Sequence, residues 1–204
     1  MMVLGVAGPL ASGKSTVLEM LEDLGAATLR ADDISRELLQ PGQPVFEQVR
    51  AAFGEEYFAA DGRLQRKELA ELIFADAQAR QRLNRIMHPP MVARLREIID
   101  EYRRANTPPP MVAIEAAILQ QMGLDQIVDN VLLVTASEPT RIRRLCQREG
   151  ISTQQAQRRV ALHDELGLGE IEADYIIDTN GKLAETRQQV ANLWAELMEL
   201  TQTQ

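Results

Sequence analysis

Residues 8–15 read Gly8-Pro9-Leu10-Ala11-Ser12-Gly13-Lys14-Ser15 and match G-x-x-x-x-G-K-[ST] at every fixed position. Those residue types at that spacing make a phosphate cradle. Glycines let the backbone fold into a nest whose N–H groups converge on an anion. A helix opening directly after the loop offers its positive end to the same anion. Lys14 has the reach for β- and γ-phosphates, and the Ser15 hydroxyl can ligate a magnesium ion. Thr16 extends the candidate contacts to the nucleotide.

Two acids sit where strands should end. Asp32 follows the apolar stretch Ala26 to Leu29, and Glu115 closes the run Met111-Val112-Ala113-Ile114. A carboxylate at the end of a buried strand points into the crevice where α/β folds bind ligands. Asp32 is a candidate general base for a hydroxyl acceptor. It also suits a helix N-cap before Asp33 and Ile34. Glu115 is a candidate for holding magnesium with Ser15, or else a solvated strand end.

Arg141, Arg143, Arg144, Arg148, Arg158 and Arg159 cluster in one stretch, opposed within it only by Glu149. On a helix, Arg141, Arg144 and Arg148 fall near one face. A mobile basic flap of this kind can close over a triphosphate and stabilise developing charge; a solvated pair of basic helices has the same pattern. Thr179-Asn180-Gly181 is a tight turn after the last strand, suited to reading an adenine edge or simply to joining strand and helix.

The elements that must position these groups follow from periodicity. Val3 to Ala7 is an apolar run without alternation, as in a strand buried on both faces. Val17, Leu18, Leu21 and Leu24 recur at helical spacing, and Gly25 stops that helix. Ala26–Leu29, Met111–Glu115, Val131–Thr135 and Tyr175–Ile177 supply four more strands. From Asp32 to Arg104 the pattern is helical, with Leu38, Leu39, Val45, Val49, Phe53, Leu69, Leu72, Ile73, Leu83 and Ile86 as core faces. Pro89-Pro90 is expected to open a further helix. A final amphipathic helix carries Leu183, Val190, Leu193, Trp194 and Leu197. Strand, glycine loop, helix, strand is the opening of a parallel α/β sheet.

Composition narrows the function classes. The chain has 204 residues, 45% of them hydrophobic, and a net charge of −8 that disfavours non-specific nucleic-acid binding. One cysteine, Cys146, allows no intrachain disulfide. The apolar start lacks a basic lead and runs into the glycine loop, so it does not read as a signal peptide. No apolar stretch approaches the length of a membrane span. A cytoplasmic protein with no membrane, nucleic-acid or obligate protein partner is expected. A GTPase should carry N-K-x-D, which is missing; the D-x-x-G match at Asp164-Glu165-Leu166-Gly167 lies in a polar helical region and is taken as coincidence. A small kinase remains.

Further motifs accompany the loop in a fixed order. They are Ala31-Asp32-Asp33-Ile34-Ser35-Arg36, Leu39-Gln40-Pro41-Gly42, Phe53-Gly54, Asp61-Gly62-Arg63-Leu64 and His88-Pro89. Later come Arg144, Arg148, Ala173-Asp174 and Ile177-Asp178-Thr179-Asn180-Gly181. Together they resemble the dephospho-CoA kinase family almost from end to end. The resemblance implies a P-loop kinase fold, a five-stranded parallel sheet flanked by helices, in a single unit over 1–204. Its core is expected at 1–31, 108–137 and 172–204, with a helical acceptor-binding sub-domain at 32–107 and a helical lid at 138–171. It implies ATP as donor, Mg2+ as cofactor, dephospho-CoA as acceptor, and phosphorylation of the ribose 3′-hydroxyl to give CoA. It places Asp32, Lys14 and Arg144 in catalysis and Arg63, His88 and Gln121 beside the acceptor. The P-loop with Arg144, Arg148, Thr179 and Asn180 would hold ATP.

Several positions depart from the family pattern. Pro9 and Ala11 replace glycines, Arg30 replaces the first Asp of an Asp-Ala-Asp triplet, Ala117 replaces a proline, Gln121 a carboxylate and His163 a lid glutamine. The donor machinery is intact and the acceptor side is altered. A related P-loop kinase for another nucleotide or nucleoside-like acceptor, and a low-turnover nucleotide-binding protein, are the competing readings.

Overall fold

The computed structural model describes residues 1–116, 119–167 and 172–202. The chain divides into two units, Met1–Arg30 with Tyr102–Gln204, and Ala31–Glu101.

The first unit is built on one parallel sheet. Its strands are β1 (Met2–Ala7), β2 (Ala27–Arg30), β3 (Met111–Glu115), β4 (Asn130–Thr135) and β5 (Tyr175–Asp178), in the order β2-β3-β1-β4-β5. The central strands are the continuous apolar runs, since a strand covered on both faces has no solvent side. One face packs on α1 (Lys14–Asp23) and α8 (Leu183–Gln202). Val17, Leu18 and Leu21 meet Val190, Leu193 and Leu197 over Leu4, Val6, Ala113, Leu132 and Val134. At the edge strand β5 only Ile177 is buried, and Ile176 is exposed. Leu183, expected on the core face of the last helix, is also exposed. It is the first residue of α8, and the buried stripe begins further along.

α6 (Glu138–Glu149) and α7 (Thr153–Gly167) pack on each other. Ile142, Leu145, Ala156 and Val160 form their shared core, and Leu10 and Ala11 of the glycine loop pack against it. The polar look of the stretch around residue 156 conceals these two small contacts at i and i+4.

The second unit contains α2 (Ala31–Leu38), α3 (Pro44–Phe53), α4 (Arg66–Ala75) and most of α5 (Ala77–Arg104). Phe46 meets Phe58 edge-on at 5.2 Å, and the Arg50 guanidinium lies 5.2 Å over the Phe58 ring. Arg94 ties α5 to α2 through Glu37 at 3.0 Å.

Pro89-Pro90 does not open a helix. Both prolines lie inside α5, which runs through them. Each removes one i→i−4 hydrogen bond. The helix persists because Met87, Met91, Leu95 and Ile99 form an unbroken buried stripe at four-residue spacing. Leu38, Leu72, Ile73, Leu83 and Ile86, expected on the core face, are only half-buried.

Candidate active site

The strand register lines up the carboxyl ends. Val6 and Arg30 both pair with Glu115, and Thr135 pairs with Asp178. The glycine loop after β1, Arg30 on β2, Glu115 on β3 and Thr179 after β5 therefore leave the same edge of the sheet.

The loop backbone explains its residues. A Cβ on Gly8 would stand 2.2 Å from the Val134 carbonyl oxygen, so no side chain fits. Ala11 takes φ 61°, a left-handed conformation costing roughly 1 kcal/mol for a residue with a Cβ. That cost accounts for the glycine that the family pattern places there. The buried Ser12 Oγ has no hydrogen-bond partner among the described residues. Lys14 opens α1 and donates from Nζ to the carbonyl oxygens of Gly8 at 2.9 Å and Pro9 at 3.1 Å.

Ser15 Oγ donates to Glu115 Oε1 at 3.5 Å. Arg30 Nε lies 3.4 Å from the other oxygen, Oε2. Adjacent oxygens around magnesium, bound at about 2.1 Å, stand about 3 Å apart in an octahedron. The Ser15–Glu115 pair therefore fits two neighbouring positions of a hard cation with modest adjustment. No group of three or more His, Cys, Asp or Glu is placed to hold a metal among the described residues. The remaining ligands would be phosphate oxygens and water, the usual arrangement for magnesium.

Asp32 lies inside the first turn of α2, which begins at Ala31. It is exposed, and its side chain makes no hydrogen bond among the described residues, so it is not an N-cap. Arg63 sits in the turn after Asp61, where its N–H donates to Asp61 Oδ1 at 3.1 Å. His88 is half-buried within α5, and Gln121 is exposed between β3 and β4. Ala117 lies outside the described residues.

Arg144 is stitched to the loop. Its Nη1 donates to Ser12 O at 3.2 Å and to Thr179 Oγ1 at 2.8 Å, and its Nη2 donates to Thr179 O at 2.5 Å. Burial, then the charge of Arg143, lowers its pKa, with Asp178 opposing. Thr179 is 3% exposed, and its Oγ1 lies 2.5 Å from Ser12 O. Asn180 Oδ1 accepts from the Ser137 N–H at 2.8 Å.

The basic cluster is partly neutralised within its own helices. Arg148 and Arg159 share Glu149, which their hydrogen bonds and charges hold below the usual carboxylate range. Arg141 is buried in a fork on Asp164, at 2.8 and 2.6 Å. The hydrogen bond from Arg141 likewise depresses the Asp164 pKa. Asp164, part of a motif taken as coincidence, thus clamps α7 to α6.

His163 is half-buried, and its buried Nδ1 has no partner among the described residues. Burial foremost, then the charges of Lys14 and Arg141, pushes the imidazole pKa down, with Asp164 opposing. A lowered folded pKa means the unfolded chain binds more protons. This contribution to stability is therefore complete above the ordinary histidine pKa of about 6.5 and is lost as pH falls through the lower folded value. We expect His163→Gln to flatten the dependence of denaturant stability on pH below about 6.5. An unchanged slope would mean that His163 titrates normally.

A parallel sheet in this order, with a phosphate cradle after β1 and basic helices packed on the loop, defines a P-loop kinase. A family model for dephospho-CoA kinase matches residues 2–185. A dephospho-CoA kinase of Moorella thermoacetica is 40% identical over 197 residues, covering 97% of this chain and 92% of that protein. One from Syntrophotalea carbinolica is 39% identical over 198 residues, covering 97% and 93%. The chain belongs to the dephospho-CoA kinase family. A crystal structure from Thermus thermophilus has TM-score 0.74 and 25% identity over 96% of this chain and 97% of that one. A Campylobacter jejuni dephospho-CoA kinase shares the fold, at TM-score 0.67 and 22% identity over 98% of each chain.

Proposed function

We propose that this chain transfers the γ-phosphate of ATP to the ribose 3′-hydroxyl of dephospho-CoA, giving CoA and ADP. The family match across residues 2–185, which includes the complete phosphate cradle, carries this reading. The loop N–H groups hold the phosphates, and Lys14 leaves the Gly8 and Pro9 carbonyls to follow the γ-phosphate. Ser15 and Glu115 would hold magnesium, which supplies charge neutralisation on the β- and γ-phosphates.

Asp32 orients the acceptor hydroxyl and takes its proton as the oxygen bonds to the γ-phosphorus. The bond to the bridging oxygen breaks, and ADP leaves. Arg144 and Arg148 belong to the lid over 138–171 and stabilise the triphosphate. Thr179 and Asn180 support the base end of ATP. Arg63, His88 and Gln121 serve the acceptor, with Arg63 and His88 in the helical sub-domain. No helix among the described residues is long and apolar enough to cross a membrane, and we place the reaction in the cytoplasm.

The test compares kcat/KM for dephospho-CoA, adenosine, AMP and other nucleoside monophosphates at saturating magnesium-ATP. Binding energy from the pantetheine arm orients the ribose, so truncated acceptors should lose kcat as well as affinity, on the order of a hundredfold or more together. Preference for any short acceptor would replace dephospho-CoA with another nucleotide or nucleoside-like acceptor as the substrate.

A further inference from the structure

Arg30 stands where the family pattern has a carboxylate, and it is bound to the carboxylate that the cation site needs. The strand register places it directly beside Glu115. The two Glu115 oxygens are divided, with Oε2 3.4 Å from Arg30 Nε and Oε1 3.5 Å from Ser15 Oγ. The Arg30 side chain is 41% exposed and Glu115 17%. Glu115 is the only ion-pair partner recorded for Arg30 among the described residues.

Two effects of Arg30 on a cation at Ser15 and Glu115 oppose each other. Its contact orients the carboxylate, which favours the cation. Its charge cancels part of the carboxylate's and repels a divalent ion. The contact is a single N–H at 3.4 Å rather than a two-bond fork, so it orients weakly. The repulsion acts through a partly buried carboxylate, where screening by salt is reduced. The charge effect is the larger.

We propose that Arg30 sets the cation affinity of this site, weakening the hold of Glu115 on magnesium in the nucleotide-bound state. This rests on Glu115 as a cation ligand. A loosely held ion leaves with the product, and an arginine at this position provides that without removing the ligand.

The readout is the affinity of a non-hydrolysable ATP analogue, measured by calorimetry in magnesium and in EDTA. The ratio of the two isolates the coupling between cation and nucleotide. Arg30→Ala and Arg30→Gln should raise that ratio by about tenfold, and Arg30→Lys, which keeps the charge, should leave it near wild type. A ratio that stays constant or falls in Arg30→Ala overturns the proposal. Equal loss of analogue affinity in both buffers makes Arg30 a direct phosphate ligand instead. Glu115→Gln separates the premise from the inference. If it leaves the ratio unchanged, Glu115 is no cation ligand and the proposal falls with it. If it lowers the ratio while Arg30→Ala does nothing, Glu115 keeps its role and only Arg30 loses its own.

Discussion

Replacing Lys14 by alanine is expected to lower kcat by at least about two orders of magnitude, roughly 3 kcal/mol or more of transition-state stabilisation. Phosphoryl transfer asks little covalent chemistry of the protein, so charge placed along the path of the phosphate dominates. Lys14 Nζ already sits over the loop, donating to Gly8 O at 2.9 Å and Pro9 O at 3.1 Å. Those contacts are not what shapes the loop. The left-handed Ala11, the close approach of Gly8 to Val134 and the Arg144 clamp on Ser12 all survive the substitution. Folding should therefore be nearly unaffected, and the loss should appear in single-turnover rates at saturating ATP. A variant with near-normal turnover would remove Lys14 from the reaction, whatever its ATP affinity.

The glycine loop was legible because its residues are dictated by backbone sterics and phosphate geometry, both local. The buried strands were legible for a similar reason, since Val3 to Ala7 and Met111 to Ile114 have no solvent face. Interior helices were harder to place. The α5 stripe uses Met87 and Met91 between aliphatic positions, and its prolines resemble a helix start. Tertiary packing overrode that local signal. Partnerships were not legible at all. Arg30 and Glu115 meet only through the β2–β3 register, and Asp164 reaches Arg141 only once α6 and α7 are packed. A charge count along the chain therefore overstated the free basic charge of α6 and α7. Among the described residues, Arg141 and Arg144 are held internally, and Arg148 and Arg159 share one glutamate.

Asp32→Asn is expected to lower kcat by about a hundredfold to ten-thousandfold, the usual loss for a general base. The substitution keeps size and hydrogen bonding and removes only the capacity to take a proton. The alternative role, a helix cap, predicts the opposite pattern of effects. Loss of a capping residue costs about 1 kcal/mol of stability and leaves chemistry alone. The structure weakens that alternative, because α2 begins at Ala31, and the Asp32 side chain lies beyond the cap position and makes no hydrogen bond among the described residues. An exposed carboxylate in a first helical turn still gains from the helix dipole, by roughly 0.3–1 kcal/mol, and asparagine forfeits that. The stability change should stay within this range, with ATP affinity nearly unchanged. Two measurements on one variant decide the matter: turnover with dephospho-CoA, and the denaturant midpoint. Full turnover with a lowered midpoint would make Asp32 a helix-stabilising residue and leave the acceptor hydroxyl to be deprotonated by water or by the departing phosphate itself.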